Sequence, residues 1–214
     1  DAALLRTKKA NDWMKQEYGN PAPKVLFGSF WFEGELCILF ADTNLGKSIL
    51  AVQIGDSITK NYCIGPLGNQ ADAGTPVLYL DFELSSKQFE SRYVDRQWGS
   101  YLFADEFYRA EFNPEADDPV HYDNYETYVK ENIEFALSET KARVLIIDNI
   151  TYIRNGLQSA KGALPLMKTL KAIKSRFNLS VLVLAHTPKR NPFKPLTVND
   201  LQGSKMLINF ADSA

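Results

Sequence analysis

Lys47 and Ser48 have the clearest chemical potential in this sequence, because they end a loop of recognisable spacing. Residues 41–48 read A-x-x-x-x-G-K-S, a phosphate-binding loop with alanine in place of the usual first glycine. The backbone N–H groups of such a loop and the dipole of the following helix converge on a polyphosphate. We expect Lys47 to contact the β- and γ-phosphates and the Ser48 hydroxyl to bind Mg²⁺.

The segments on either side of this loop decide whether the motif is meaningful, since G-K-S alone is a common chance match. The apolar run at 36–40 predicts a buried strand, and residues 48–54 predict a helix. Strand, loop and helix in this order are the context that the motif requires. The predicted nucleotide-binding residues are therefore Ala41, Asp42, Thr43, Asn44, Leu45, Gly46, Lys47, Ser48 and Ile49.

Two further apolar runs lead into carboxylates. Asp148 follows residues 144–147, and we expect it to hold Mg²⁺ opposite Ser48, because acidic residues at the ends of parallel strands lie at the ligand-binding edge. Glu83 follows a second run and could activate a water molecule for attack on a phosphate. It could equally favour the positive end of a helix that begins near Ser85. Asp81 competes for the catalytic role, and spacing alone leaves these alternatives open.

A fourth apolar run, 181–185, ends at His186. At the same sheet edge, this histidine could contact the γ-phosphate, although a lone histidine is more often a packed or surface residue. The following segment is basic and rich in proline, and three of its side chains are candidates for contact with a nucleic-acid backbone. These are Lys189, Arg190 and Lys194. The alternative is an exposed loop with ordinary charges.

Composition limits the class of protein. The 214 residues suit one domain, and a net charge of −2 gives no global basic field for nucleic acid or membrane. The two cysteines, Cys37 and Cys63, form no disulfide framework, which favours a reducing, cytoplasmic location. We find no apolar run long enough for a bilayer and no signal peptide. The chain begins at Asp1 without methionine, which suggests trimming.

Alternating strand-like and helix-like segments predict an α/β fold with a mostly parallel central sheet that is covered on both faces. The segment at 85–98 begins with a capping box of Ser85 and Gln88, and Trp98 continues its helical spacing. We divide the chain into a helical lead-in at 1–33 and a core at 34–214. Helices are predicted at 3–18, 48–60, 85–98, 125–137 and 166–177, and strands at 36–41, 77–82, 107–112, 144–148 and 181–185.

Residues 34–212 resemble the RecA-like ATPases, and most closely the motor domain of DnaB-type hexameric replicative helicases. Those enzymes commonly carry a loop of the form A-x-P-x-x-G-K-T, which Ala41 matches and from which Thr43 and Ser48 depart. Residues 82–92, F-E-L-S-S-K-Q-F-E-S-R, resemble the family's L-E-M-S-x-x-Q-L-x-x-R. This long match favours Glu83 over Asp81 as the catalytic base.

Three other segments carry the resemblance. Residues 145–148 fit the Walker B strand, and His186 stands where these helicases place a γ-phosphate-sensing glutamine. Histidine at that position is similar to plasmid RepA-type hexameric helicases and their mobile-element relatives. Residues 200–204, D-L-Q-G-S, together with Ala211 and Asp212, resemble the D-L-R-E-S-G…A-D segment near the central channel.

The resemblance implies a three-layer RecA-like fold, ATP and Mg²⁺ as cofactors, single-stranded DNA as a partner and a homohexamer at full length. It places the strand of His186 between the P-loop and Walker B strands. It also implies another strand after Asp212 and an arginine finger beyond it, so the chain looks like an ATPase core truncated at its C-terminus. The implied function is a DNA helicase or replication-type ATPase of a plasmid or mobile element. The alternative is a nucleotide-dependent DNA-binding or regulatory ATPase without unwinding; the Glu83 motif argues against a P-loop kinase.

Overall fold

The computed structural model describes residues 5–113, 125–150, 163–187, 194–197, 200–201 and 205–214. Its strands are β1 (Val25–Phe27), β2 (Trp31–Phe32), β3 (Leu36–Ala41), β4 (Val77–Asp81), β5 (Val94–Asp95), β6 (Gly99–Ser100), β7 (Phe107–Glu111), β8 (Val144–Asp148) and β9 (Ser180–His186). Its helices are α1 (Ala10–Glu17), α2 (Lys47–Lys60), α3 (Ser86–Arg92), α4 (Tyr125–Thr140), α5 (Ala163–Phe177) and α6 (Lys205–Ile208).

A parallel sheet with the strand order β3-β9-β8-β4-β7 forms the centre of the molecule. All residues of β4 and β8 are buried, as expected for apolar strands that are covered on both faces. The predicted position of the His186 strand is confirmed, because β9 lies between the P-loop strand β3 and the Walker B strand β8. The functional carboxyl ends of β3, β9, β8 and β4 consequently lie side by side.

Alternate residues of the strands face two separate hydrophobic cores. Leu78 and Leu80 of β4 pack with α4 and α5, whereas Val77 and Tyr79 pack with α2. On the α2 side the helix approaches the sheet closely, since a Cβ added to Gly55 would lie 2.5 Å from the Phe107 ring. Helix, sheet and helix form the three layers of a RecA-like fold, which confirms the predicted fold class.

The N-terminal region differs in part from the prediction. A helix was expected over 3–18, but α1 spans only Ala10–Glu17, has no side-chain cap and buries none of its residues. Leu26 and Trp31, which fall in the predicted lead-in, are each 1% exposed and belong to the core on the α2 side. The division of the chain at residue 33 stays a prediction.

The segment at 85–98 is also shorter as a helix than its apolar spacing predicts. The capping box of Ser85 and Gln88 is present, but α3 ends at Arg92 and the chain continues into the β5–β6 hairpin. Asp95 Oδ1 accepts the N–H groups of Gln97 and Trp98, a local turn that competes with the helix. Trp98 is therefore 87% exposed and does not pack on a helical face.

The residues after α6 run along the outer edge of β3. Asp212 N–H donates to Leu36 O, and Ser213 forms a parallel bridge with Cys37. The Asp212 carboxylate also accepts the Leu36 N–H and pairs with Lys174 at 2.9 Å. The expected strand beyond Asp212 stays a prediction. Within the described part of the chain, none of the helices has the length and apolar character needed to span a bilayer.

Candidate nucleotide-binding site

The loop between β3 and α2 has the conformation expected of a phosphate-binding loop. Gly46 immediately precedes α2 with a left-handed φ of 82°. A Cβ at this position would meet no atom within 4 Å, so the backbone angle, and not crowding, explains the glycine. Asn44 also has a positive φ of 64°, which asparagine tolerates better than most residues. Two such turns wrap the loop over the N-terminus of α2.

Lys47 is 8% exposed, and its ammonium group lies within the loop. Its Nζ atom donates to the carbonyl oxygens of Ala41 at 3.0 Å and Asp42 at 2.8 Å. Burial lowers the pKa of Lys47, while the negative charges of Asp148, Glu83 and Asp42 oppose that shift. A polyphosphate at this position would give the buried cation an anionic partner.

Asp148 and Ser48 are brought together as predicted. Asp148 is 2% exposed, accepts a hydrogen bond from the Tyr79 hydroxyl at 2.6 Å and has the Ser48 hydroxyl close to its carboxylate. Burial raises the pKa of Asp148, and the hydroxyl groups of Ser48 and Tyr79 counteract the increase. One carboxylate and one hydroxyl are oxygen ligands of the kind that Mg²⁺ accepts when phosphates and water complete its shell. The described residues contain no group of three or more His, Cys, Asp or Glu that could hold a metal by itself.

Asp81, the competitor of Glu83, is committed to other contacts. It is 1% exposed, and its Oδ1 accepts the N–H groups of Glu83 at 3.1 Å and Leu84 at 2.9 Å. Its Oδ2 pairs with Arg109 Nε at 3.0 Å, and Arg109 also donates to Leu84 O. Asp81 therefore shapes the turn that carries Glu83.

Glu83 lies at the same sheet edge as Lys47, Asn149 and His186. Its Oε1 accepts a hydrogen bond from Asn149 Nδ2 and lies 3.3 Å from His186 Nε2. Its side chain is 37% exposed, so water can reach it. The alternative role at the N-terminus of α3 is not required, because that helix has its own capping box.

His186 ends β9 directly opposite Ala41 in the register. Its side chain is 21% exposed, and its Nδ1 is buried without a hydrogen bond to any residue that the structure describes. The next residue, Thr187, is buried and donates a hydrogen bond to Asp42 Oδ1. The end of β9 is thereby attached both to the phosphate loop and to Glu83.

Three residues of this site were missed by the sequence reasoning: Tyr79, Asn149 and Thr187. Asn149 and Thr187 directly follow the predicted functional residues Asp148 and His186. Tyr79 is the single polar side chain among the otherwise apolar residues 77–80. A polar side chain that is buried at a strand end needs a partner, and this was the available signal.

The remaining predicted residues contribute less to the network. Leu45 and Ile49 are 67% and 51% exposed, and Thr43 and Asn44 are also exposed. Among the candidates for DNA contact, Lys194 is exposed, whereas Lys189 and Arg190 lie outside the described residues.

The comparison with protein families agrees with this geometry. A family model described as the AAA domain matches residues 5–192, which include the phosphate loop, Glu83, Asp148 and His186. No curated protein matches the chain. Because the family match spans most of the sequence and the fold and loop agree with it, the chain belongs to the AAA domain family and is a nucleotide-binding P-loop ATPase.

Proposed function

We propose that this chain hydrolyses ATP with Mg²⁺ as the motor of a hexameric DNA helicase or replication ATPase of a plasmid or mobile element. The observation that carries the proposal is the contact between Glu83 and His186, which joins the expected base to the expected γ-phosphate sensor. Both residues belong to segments that resemble the DnaB-type and RepA-type helicases. Asp81, the competing carboxylate, is paired with Arg109 and accepts a backbone N–H of the turn after β4.

The chemistry follows from the residues around the loop. Lys47 and the loop N–H groups bind the phosphates, and Ser48 and Asp148 hold Mg²⁺. When bound, the metal offsets negative charge on the phosphates. Glu83 takes a proton from water as the water oxygen bonds to the γ-phosphorus and the bond from that phosphorus to ADP breaks.

His186 links hydrolysis to the partner. Its ring contacts Glu83, and the adjacent Thr187 is hydrogen-bonded to Asp42 of the phosphate loop. A change at the γ-phosphate would therefore move the start of the basic segment at 187–199. With Lys189, Arg190 and Lys194, that segment is the proposed contact with single-stranded DNA, and a homohexamer would place such segments around a central channel.

The test measures ATP turnover and strand separation by the full-length protein. Glu83→Gln should lower kcat by about 10²- to 10⁴-fold, the usual contribution of a positioned base, while ATP binding persists. Glu90→Gln is a matched control, since Glu90 lies on the neighbouring helix and pairs with Lys87 on the surface. Wild-type turnover in Glu83→Gln would remove the base assignment, and unwinding that survives Lys47→Ala would remove the motor.

A second function is favoured by the net charge of −2, which gives no broad attraction to DNA. Under this alternative, the protein is a nucleotide-dependent DNA-binding or regulatory ATPase without translocation. DNA binding that weakens steeply with salt, together with ATP turnover but no strand separation, would support it over the helicase.

A further inference from the structure

Asn149 lies directly after β8, the strand between β4 and β9. The strand on one side leads to Glu83, and the strand on the other ends at His186. A side chain at the end of the middle strand can reach both neighbours. Asn149 does so although it belongs to neither the phosphate loop nor the Mg²⁺-binding pair.

The contacts of Asn149 are specific in their direction. Its Nδ2 donates to Glu83 Oε1 and lies 3.0 Å from His186 Nε2. Because an ionised carboxylate only accepts hydrogen bonds, the amide nitrogen of Asn149 must be the atom that faces Glu83. Asn149 is 4% exposed, so water does not replace this contact easily.

The two oxygens of the Glu83 carboxylate are used differently. Asn149 and His186 both contact Oε1, whereas Oε2 makes no hydrogen bond to any residue in the described part of the chain. A carboxylate base needs one fixed oxygen to set its orientation and one available oxygen to receive the proton. We propose that Asn149 is a positioning residue that holds Glu83 by Oε1 and leaves Oε2 for the attacking water. This inference rests on the proposed role of Glu83.

A purely structural asparagine has a different pattern, which the same protein provides in Asn69. The Asn69 amide donates to the backbone carbonyl of Ser57 at 2.6 Å, and its side-chain oxygen accepts the Ala71 N–H. Neither partner is a candidate for chemistry. Asn69 is therefore a control for the loss of an asparagine amide whose hydrogen bonds serve only the fold.

The first experiment measures kcat, KM and the affinity for a non-hydrolysable ATP analogue in Asn149→Ala. A hydrogen bond to a charged group of this kind predicts a fall in kcat of about 10- to 100-fold, with analogue affinity changed by less than about threefold. Asn69→Ala should keep kcat within about twofold. Unchanged kcat in Asn149→Ala, or an equal fall in Asn69→Ala, would overturn the proposal.

The second experiment asks whether Asn149 acts through Glu83. Adding Asn149→Ala to Glu83→Gln should cause no further fall in kcat, because the group that it positions is already inactive. The same fall in both backgrounds would contradict the positioning role. A Glu83→Gln protein with wild-type turnover would instead remove the proposed base, a result distinct from an inert Asn149→Ala.

A second variant tests whether a loss of kcat in Asn149→Ala comes from misfolding. Asn149→Asp keeps the size of the side chain but replaces the donor with a like charge beside Glu83. It should lower kcat at least as far as Asn149→Ala, with a thermal unfolding temperature that shows a folded protein. Folded Asn149→Asp with wild-type kcat would overturn the proposal even where the alanine variant unfolds.

Discussion

At each end of α2, a lysine of the helix lies near an aspartate and at least one tyrosine, but among the described residues the charges are paired at one end and unpaired at the other. At the C-terminal end, Lys60 Nζ forms an ion pair with Asp56 Oδ1 at 3.0 Å and donates to Leu102 O at 2.6 Å. Asp56 Oδ1 therefore pairs with the Lys60 ammonium group by charge alone, because the contact does not have the geometry of a hydrogen bond. Asp56 Oδ2 accepts the hydroxyl groups of Tyr62 at 3.0 Å and Tyr101 at 2.5 Å. Each charge at this end has partners within the protein.

At the N-terminal end, the corresponding residues are Lys47, Asp148 and Tyr79. Lys47 donates only to two backbone carbonyls of the loop among the described residues, and it makes no ion pair there. Asp148 accepts a hydrogen bond from the Tyr79 hydroxyl and has the Ser48 hydroxyl nearby, but no cationic side chain lies within ion-pair distance of it in the described chain.

The pKa directions of the two lysines express this difference. Burial lowers the pKa of Lys47, and nearby carboxylates do not fully offset it. Burial also opposes the charge of Lys60, but contacts with Asp56 and Tyr101 outweigh it and raise the pKa. A satisfied pair stabilises the fold, whereas separately buried opposite charges lack such compensation and would gain it from the phosphate and the Mg²⁺ of the proposed function.

The largest expected effect compares the two lysines. Lys47→Met should lower ATP turnover by at least about 100-fold, because a preorganised cation at the transferring phosphate is removed. Lys60→Met should leave turnover within about twofold and lower the unfolding temperature. Steady-state hydrolysis and calorimetry measure both quantities, and equal losses of turnover in the two variants would abolish the distinction between the ends of α2.

A smaller effect compares the two buried aspartates in stability. Asp56→Asn should lower the free energy of unfolding by about 2 kcal/mol, because two tyrosine hydrogen bonds lose a charged acceptor and a partly exposed ion pair is broken. Asp148→Asn should cause no measurable loss, since burial already opposes its charge and the amide oxygen can still accept from Tyr79. Denaturant unfolding without nucleotide or Mg²⁺ measures both, and a larger loss in Asp148→Asn would reverse the assignment of structural and binding ends.

The smallest effect is the pH dependence of stability at alkaline pH. The pKa of Lys47 lies below its ordinary value of 10.5, so the unfolded chain binds more protons between those two values and stability rises with pH there. The pKa of Lys60 lies above 10.5, so its contribution is present below 10.5 and is lost as the pH rises through the folded value. Lys47→Met should remove the rise in stability below pH 10.5, and Lys60→Met should remove the loss of stability above it. Urea unfolding at a series of pH values distinguishes them, and identical changes in both variants would contradict the opposite shifts.

Local features were predictable because their contacts lie within a few residues. The strand–loop–helix of residues 36–54 and the capping box of Ser85 and Gln88 are confirmed, since backbone periodicity and short-range hydrogen bonds determine both. The parallel sheet followed from continuous apolar runs. The helix predicted through Trp98 was wrong, because the turn at Asp95 outweighed the helical spacing and Trp98 itself is 87% exposed, although Phe89 and Tyr93 pack against the core.

The sequence by itself therefore determined the phosphate loop, the four apolar strands and the candidates Glu83, Asp148 and His186. Only the tertiary structure decided that Arg109 forms an ion pair with Asp81 and that Thr187 donates a hydrogen bond to Asp42. It also decided that the Asn149 amide contacts both Glu83 and His186. Asn149 and Glu83 are 66 positions apart, and Thr187 and Asp42 are 145 apart. Such pairs meet because parallel strands bring their carboxyl ends to one edge, and no local pattern records which side chains will then share a hydrogen bond.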